Sequence, residues 1–303
     1  MRILVTGASG FVGRWLVREL TTADHVPVGM DQRPDVRDRE ALARWIDAAR
    51  PDAIVHLAAV AFGPDAAADP ATALAINVGG TANLIECVRR HASAPALLVV
   101  GSSDVYAAPA DSRPIDEDAA LGPRGPYGLT KLGQEAVALA AAQRHGLRLI
   151  VVRPFNHTGP GQRPSFVVPA LARRIAAVRS GAARSVPAGN LDVRRDIGDV
   201  RDVVRAYRLL VERLVEGVGP GDQVFNVATG ETVSVREIID RLAAIAGIEP
   251  VVEVDPSLVR PNDPPLIQGD AGRLRRLIGW RPEIPLARTL DEVMTEALGS
   301  ETG

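Results

Sequence analysis

The stretch that decides the fold is Met1-Arg2-Ile3-Leu4-Val5-Thr6-Gly7-Ala8-Ser9-Gly10-Phe11-Val12-Gly13. Its apolar beginning is typical of a buried strand, and its three glycines lie between that strand and a helical pattern. Such glycines allow a tight turn and a close approach of the backbone to a pyrophosphate, which lies at the helix N-terminus. A plain strand-to-helix turn is the alternative, but the position in a βαβ pattern favours dinucleotide binding. The candidate contacts are Gly7, Gly10, Phe11, Val12 and Gly13.

Beyond this stretch, short apolar runs alternate with longer helical patterns as far as about residue 155. This order predicts an α/β fold, a doubly wound parallel sheet of the Rossmann type with helices on both faces and right-handed crossovers. Ligands bind such sheets beyond the carboxyl ends of the strands, where the strand order reverses. The predicted strands are Ile3–Thr6, Val26–Met30, Ala53–Leu57, Leu97–Gly101 and Leu149–Arg153, and the helices are Gly13–Leu20, Arg39–Ala49, Ala71–Arg90 and Tyr127–His145.

After residue 155 the pattern loosens and prolines and glycines become frequent, which predicts a loop that opens a second lobe. We expect residues 1–155 to form the dinucleotide-binding domain, with about 196–230 returning to it. Residues 156–195 and about 231–303 then form a smaller C-terminal substrate-binding lobe. The predicted elements here are helices Val167–Arg179, Val200–Leu214, Val235–Ala246 and Leu286–Leu298 and strand Gln223–Val227.

The composition limits the partners of the chain. With 303 residues and 46% hydrophobic content, the chain can bury a full core. Its net charge is -2, so the totals imply no basic face for nucleic acid, and nucleic acid is not an expected partner.

The cysteine count and the N-terminal sequence bear on the compartment. The single cysteine, Cys87, cannot form an internal disulfide, and no Cys/His cluster has metal-ligand spacing, so no metal is expected. The N-terminus lacks the pattern of a leader peptide. Apolar runs such as Ala96 to Val100 are far shorter than the roughly 20 residues of a membrane span. We therefore expect a cytoplasmic protein without a membrane partner.

The pair Tyr127 and Lys131 is the strongest sign of catalysis. Lys131 is the only lysine of the chain and lies four residues after one of three tyrosines, so both side chains project from one helix face. A free tyrosine titrates near pH ~10, and an adjacent cation lowers that value. The pair can then act as a tuned general acid or base, and Lys131 can hydrogen-bond a nicotinamide ribose. A surface helix is the alternative interpretation.

Two further polar residues follow predicted strands. Ser102 lies at the carboxyl end of the strand Leu97–Gly101, where a hydroxyl can hydrogen-bond a substrate carbonyl and steady its developing charge. Asp31 ends the second strand, about where an acidic group would bind the adenosine ribose. Asp31 would repel a 2′-phosphate and so favours NAD(H). NADP(H) stays possible, because Asp31 could be a solvated turn residue and the nearby Arg33 could pair with a phosphate.

Together these residues resemble the extended short-chain dehydrogenase/reductase family of nucleotide-sugar epimerases, dehydratases and reductases across essentially the whole chain. Within it, the segment from Arg153 to Gln162 looks like that of GDP-mannose 4,6-dehydratases and GDP-4-keto-6-deoxy-mannose reductases. Two later segments, Gly189 to Asp196 and Arg260-Pro261, look like theirs too. The general family motifs are Thr6-Gly7-x-x-Gly10-x-x-Gly13, His56-Leu57-Ala58-Ala59, Asn77-Val78-x-Gly80-Thr81, Ser102 and Tyr127 with Lys131.

The resemblance implies roles for individual residues. Asp35 and Val36 would line the adenine pocket, and the cofactor would also meet the run Leu57, Ala58 and Ala59 and the later Pro154. Asn77 would be a structural asparagine near the site, with helix capping as the alternative. The implied substrate contacts are Asn156 on the sugar nucleotide, Gln162 by the guanine pocket, Asn190, and a diphosphate clamp of Arg195 and Arg260, whose forked side chains suit phosphate.

The resemblance also frames the reaction. A 4,6-dehydratase needs a second acid/base group, which in the resembling dehydratases is a glutamate two residues after the serine or threonine. Here that position is Asp104, one methylene shorter, and proton transfer is sensitive to reach. We expect reduction of the C4 ketone of GDP-4-keto-6-deoxy-D-mannose to GDP-D-rhamnose, in a homodimer. GDP-mannose 4,6-dehydratase, a nucleotide-sugar 4-epimerase and a silent dinucleotide sensor are the alternatives.

Overall fold

The structure, a computed structural model, describes residues 1–29, 34–108, 113–217, 222–259 and 263–299. Its strands are β1 Arg2–Thr6, β2 Val26–Val28, β3 Ala53–His56, β4 Ala96–Val100, β5 Leu149–Pro154, β6 Asn156–Thr158, β7 Ser185–Ala188, β8 Arg194–Asp199, β9 Val224–Val227, β10 Thr232–Ser234, β11 Val251–Val254 and β12 Leu266–Ile267. Its helices are α1 Phe11–Thr22, α2 Arg39–Ala49, α3 Gly63–Ala68, α4 Pro70–Leu74, α5 Thr81–Arg90, α6 Pro126–His145, α7 Val167–Arg179, α8 Val200–Val215, α9 Val235–Ala246, α10 Gly272–Ile278 and α11 Leu286–Gly299.

The central sheet has six parallel strands in the order β2-β1-β3-β4-β5-β9. The chain moves outward from β1 to β2 and then crosses back to β3, so the strand order reverses between β1 and β3. This is the doubly wound arrangement that the sequence predicts. The switch point therefore lies between Gly7, directly after β1, and Leu57, directly after β3.

The C-terminal lobe is built on smaller sheets. Strand β8 pairs with β10, β12 and β6, and β7 pairs with β11 in a separate two-stranded sheet. Helices α7, α9 and α11 pack together over a second apolar core. Helix α8 and strand β9 instead join the first core, as the division of the chain by sequence expects. That core also contains Leu274 and Trp280, which the same division assigns to the lobe.

The predicted helix Ala71–Arg90 differs from the structure. The chain forms the short helices α3 and α4, then a π-helical turn at Ala75–Gly80, and then α5. Taken together, Pro70–Arg90 is long and apolar enough to cross a membrane, although 44% of its most apolar window is buried inside the protein and a core helix meets the same criterion. The absence of a membrane partner stays a prediction.

Candidate active site

The glycine turn is as tight as its sequence implies. Gly7 has φ +72°, and a Cβ on Gly13 would lie 2.3 Å from the carbonyl oxygen of Gly7. A side chain at Gly13 would therefore push α1 away from the end of β1. Helix α1 begins at Phe11 behind Gly10, which offers no side-chain cap, so the first N–H groups of the helix face the turn.

The opposite side of the switch point is the end of β3. A Cβ on Gly7 would lie 2.9 Å from the nitrogen of Ala58, so the two strand ends are in close contact. Leu57, Ala58 and Ala59 are partly exposed there. The Thr6 hydroxyl accepts hydrogen bonds from the N–H groups of Leu57 and Ala58, both at 3.1 Å, and so fixes this rim.

Behind the rim lies a fully buried histidine, His56. Thr81 donates its hydroxyl hydrogen to the carbonyl of Asn77 at 2.6 Å, so its oxygen accepts from Nε2 of His56 at 2.9 Å. Nδ1 of His56 is then the acceptor for the Thr6 hydroxyl at 2.8 Å. Burial and the nearby charge of Lys131 lower the pKa of His56 to about 3. His56 is therefore neutral, and its two hydrogen bonds link β3 to β1 and α5.

Asn77 lies in the π-helical turn and not at a helix cap. Its carboxamide accepts from the N–H of Val60 at 2.8 Å and donates to the Val60 carbonyl at 3.1 Å and to the Thr130 hydroxyl at 2.8 Å. These bonds tie the loop after β3 to the helix that carries Tyr127 and Lys131. The structural role that the resemblance implies for Asn77 agrees with these contacts, and the capping alternative does not.

The predicted catalytic residues lie together beyond the carboxyl end of β4. Ser102 begins a short 3-10 turn, accepts from the N–H of Asp104 at 3.1 Å and lies close enough to the Tyr127 hydroxyl to lower its pKa. The Asp104 carboxylate lies 3.9 Å from the Arg124 guanidinium. It is also close enough to Tyr127 for its charge to raise the pKa of the phenol. Helix α6 approaches this turn closely at Gly128, where a Cβ would lie 2.4 Å from the Asp104 carbonyl.

The electrostatic part of the sequence prediction is wrong in the protein alone. Burial first, and then the charge of Asp104, raise the pKa of Tyr127 above its ordinary value, although the neighbouring Ser102 hydroxyl lowers it. Lys131 is buried, which lowers its own pKa to about 7. Its ammonium donates to the Val100 carbonyl at 2.8 Å and to Gln134 at 2.9 Å, so it is engaged inside the protein. Tyr127 is therefore a protonated phenol.

The predicted adenine pocket is described in part. Val36 is buried against Gly80, where a Cβ would lie 2.4 Å from its side chain. The exposed Asp35 carboxylate is held by Arg37, whose guanidinium and N–H bonds keep the pKa of that carboxyl below its usual range. Asp31 and the neighbouring Arg33 lie outside the described residues.

The predicted substrate contacts lie on the lobe side of the sheet. Asn156 is exposed at the start of β6, directly after Pro154 and Phe155. The Gln162 carboxamide accepts from Thr158 at 2.7 Å and donates to the His157 carbonyl at 3.1 Å. These bonds give Gln162 a role in closing its own loop, and its contact with a base stays a prediction.

The remaining predicted contacts lie on β8 and its neighbouring loop. Arg195 forms an ion pair with Asp263 at 2.7 Å and is mostly buried. The exposed Asn190 accepts from the N–H of Asp192 at 3.1 Å. Arg260, the second half of the predicted clamp, lies outside the described residues.

Two buried acidic residues were given no role in the sequence analysis. Asp196 accepts from the hydroxyl and N–H of Thr229 and from the N–H groups of Gly230 and Gly269, and so holds the loop after β9. Glu135 forms a doubly hydrogen-bonded ion pair with Arg153. The signal for Glu135 was its place on α6, four residues after Lys131, but its partner is distant in sequence.

These residues fit a bound dinucleotide. Neither Gly7 nor Gly13 has room for a Cβ, and the uncapped start of α1 supplies N–H groups for a pyrophosphate. Ser102 and Tyr127 lie past the end of β4, next to β3 in the sheet. A glycine cradle beside a serine–tyrosine pair and a buried lysine defines a nicotinamide-dependent oxidoreductase that uses NAD(P)(H).

The comparison with known families agrees. Residues 3–228 match the model of the NAD dependent epimerase/dehydratase family. The match covers well over half of the chain, which therefore belongs to this family.

Individual relatives span nearly all of the chain. GDP-6-deoxy-D-mannose reductase of Pseudomonas aeruginosa is 37% identical over 97% of the chain and 96% of its own length. UDP-glucose 4-epimerase of Azospirillum brasilense is 30% identical over 99% and 92%. Among solved structures, RMD from Pseudomonas aeruginosa complexed with NADPH matches with TM-score 0.90 and 35% identity, covering 99% of both chains. The protein is similar to nucleotide-sugar enzymes throughout its length.

Proposed function

We propose that this protein reduces the C4 ketone of GDP-4-keto-6-deoxy-D-mannose to GDP-D-rhamnose. The observation that carries the proposal is the neighbouring pair of Ser102 and Tyr127 side chains at the carboxyl end of β4. The guanine nucleotide and the sugar are supported by the similarity to the reductase of Pseudomonas aeruginosa. The two together favour a 4-keto reductase over other activities of the family.

The residues of the chain divide the work of reduction between them. When bound, the nicotinamide cofactor supplies the hydride. The Ser102 hydroxyl donates a hydrogen bond to the ketone oxygen and stabilises the negative charge that develops there. The Tyr127 phenol, whose pKa is raised by burial, holds its proton at neutral pH and gives it to the same oxygen. With the cofactor bound, the Lys131 side chain would hydrogen-bond the nicotinamide ribose.

Substrate binding falls to the lobe. We assign Asn156 and Asn190 to the sugar nucleotide and Gln162 to the edge of the base pocket. Arg195 is held by Asp263 and by the carbonyl of Arg194, so its guanidinium is already oriented for a diphosphate. Arg260 completes the clamp in this proposal.

A 4,6-dehydratase is the second candidate because Asp104 places a carboxylate close to Tyr127. Elimination needs a base near C5 and an acid near C6, and a carboxylate can serve there. The side chain of Asp104 is shorter than the glutamate that such a role would ask for, and its charge lies beside Arg124. A keto reductase has no need of this second group.

The test is incubation of the purified protein with freshly made GDP-4-keto-6-deoxy-D-mannose and NADPH or NADH, with the product identified by NMR. A GDP-D-rhamnose spectrum supports the proposal, and a GDP-6-deoxy-D-talose spectrum corrects the configuration at C4. A parallel incubation with GDP-mannose and no reductant identifies a dehydratase by the keto product. An epimerase shows neither reaction and instead interconverts two nucleotide sugars that differ in the configuration of the C4 hydroxyl.

Further properties belong to the same proposal. NADH preference follows from Asp31 in the sequence, and a titration with both reduced cofactors tests it. A homodimer through α5 and α6 is supported by the exposed Leu74 and Leu129, on the neighbouring helices α4 and α6. The elution volume on a sizing column tests the homodimer. We also propose a cytoplasmic location, with no nucleic-acid or membrane partner, which fractionation of the native host checks.

A further inference from the structure

The environment of Lys131 contains a residue that the proposed reaction has not used. Gln134 lies one turn further along α6 and is fully buried. Its side-chain oxygen accepts a hydrogen bond from the Lys131 ammonium at 2.9 Å. The other strong acceptor of that ammonium is the main-chain carbonyl of Val100 at the end of β4.

The orientation of the Gln134 carboxamide is fixed by chemistry. An ammonium carries three donors and no acceptor, so a flipped amide would set its own N–H groups against those of Lys131. The oxygen therefore points at the lysine and the nitrogen points away. Nε2 of Gln134 is buried and has no hydrogen-bond partner among the residues that the structure describes.

A buried amide nitrogen without a partner is unfavourable, because it gives up its bonds to water. An apolar side chain of similar size would fill the same space without that penalty. What glutamine supplies at this position is an acceptor for the ammonium. It does so without a negative charge, which a glutamate would add beside the phenol.

We propose that Gln134 is a positioning residue that holds the Lys131 ammonium at the end of β4, where it serves the cofactor and Tyr127. The proposal rests on the reductase function only in the role given to Lys131. With two hydrogens bound to Val100 and Gln134, the ammonium keeps one for the cleft. Loss of the Gln134 acceptor would let the amine turn away or lose its proton.

The state of the ionisable groups around Lys131 lets the effect of the Gln134 acceptor on the charge of Lys131 be seen separately. His56 of β3 is neutral, Tyr127 on the same helix is a protonated phenol, and Asp104 lies in the turn after β4. Arg153 of β5 is paired with Glu135. Burial is the cause of the lowered pKa of Lys131, so a bonded acceptor opposes it directly.

The sole lysine of the chain makes the test direct. Protein labelled with 13Cε-lysine, produced without a lysine-bearing tag, gives one lysine signal, and its shift against pH reports the charge of Lys131 in the intact protein. We expect Gln134→Leu to lower the titration midpoint by about one pH unit. Gln134→Glu should raise it by a similar amount, about one unit, because a carboxylate stabilises the ammonium. Leu139→Ala, a packing change on α6 that leaves the acceptor in place, should not move it.

Equal midpoints in Gln134→Leu and the unsubstituted protein would overturn the proposal. If Gln134→Leu does not fold, Gln134→Met and Gln134→Glu provide the same comparison, with the same outcome deciding it. As a second readout, Gln134→Leu should lower kcat about tenfold, by analogy with other losses of local positioning, and leave the sugar KM within about twofold. If the unsubstituted protein does not reduce the keto sugar, the reductase proposal fails, and the lysine titration still decides the role of Gln134.

Discussion

The side chain of Ser102, just past the end of β4, lies close enough to that of Tyr127, in the first turn of α6, to lower the pKa of the phenol. Two local features make this contact possible. Ser102 begins a short 3-10 turn, in which its hydroxyl accepts from the N–H of Asp104. Gly128 lets α6 lie directly on the carbonyl of Asp104. The pair is therefore built by the backbone before any substrate arrives, which is the preorganisation that stabilisation of a developing charge requires.

Replacement of Tyr127 by phenylalanine removes the proton donor. Proton transfer by a positioned group contributes about 10²–10⁴-fold, so kcat for the keto sugar should fall by that factor. Tyr207→Phe is the matched control, because the Tyr207 hydroxyl is buried and has no hydrogen-bond partner in the described part of the chain. Stopped-flow or steady-state measurement of NADPH oxidation gives the rate of both variants. Equal losses in the two would show that the phenol of Tyr127 is not the acid.

Asp104→Asn tests whether Asp104 only changes the pKa of Tyr127 or takes part in the reaction itself. The charge of Asp104 raises the pKa of Tyr127, so its removal lowers that pKa and leaves a smaller protonated fraction at alkaline pH. The decline of the reduction rate with rising pH should therefore begin at a lower pH in the variant. At neutral pH the reduction should stay within about tenfold of the unsubstituted rate, because the phenol is still protonated there. A complete loss of turnover at every pH would instead make Asp104 a reacting group.

Gly13→Ala tests the glycine turn. The new Cβ would lie 2.3 Å from the main-chain oxygen of Gly7, and such overpacking costs about 1–3 kcal/mol. Because α1 must move away from β1, both the affinity for NADPH and the melting temperature should fall. Gly63→Ala is the control, since a Cβ on Gly63 meets nothing within 4 Å. Fluorescence titration with NADPH and thermal unfolding measure the pair, and similar values for both variants would contradict the turn's role.

Much of the nucleotide-binding half was predictable, because its strands and helices are long and regular. Helix α2 begins and ends at the predicted residues, and the strands of the first half differ by one or two residues. The helix before α5 was mispredicted because Asn77 and Thr81 bond to residues far away in the sequence. Their partners, at Val60 and His56, become known only when the chain is folded.

The strands of the C-terminal lobe and the pKa values of the site residues were harder to predict from the sequence. Strands β6, β10 and β12 have two or three residues, too few for any periodicity to show. The positions of Ser102 and Lys131 followed from the sequence, but their electrostatics did not. Burial in the folded protein lowers the pKa of Lys131, and its two hydrogen-bond acceptors, the Val100 carbonyl and Gln134, form part of no motif.

His56 should make the protein sensitive to mild acid. Its pKa is about 3 in the folded protein and near 6.5 when unfolded, so the neutral form stabilises the fold fully above pH 6.5. As the pH falls from 6.5 to 5, the unfolded chain takes up a proton that folded His56 refuses, and stability drops by roughly 1.4 kcal/mol per pH unit. His157, whose pKa burial also lowers, adds to the same trend.

The measurement for His56 is urea unfolding at several pH values between 6.5 and 5. In His56→Gln the slope of stability against pH should become flatter by roughly 1 kcal/mol per unit. Replacing the exposed His145 by glutamine is the control and should leave the slope unchanged. A slope that survives in His56→Gln would place the acid sensitivity elsewhere.

The folding free energy of the protein should depend strongly on whether both members of the Arg153–Glu135 ion pair are present. Both side chains are almost fully buried, and two hydrogen bonds join them. Glu135→Leu leaves a guanidinium buried with the Tyr106 hydroxyl and the Glu117 carbonyl as its remaining partners, which should cost about 3–5 kcal/mol of folding free energy. Changing both residues, Glu135→Leu with Arg153→Met, removes the unpaired charge and should recover most of that loss. Urea midpoints of the two variants decide the point, because a double variant as unstable as the single one would mean that packing, and not the isolated charge, is responsible.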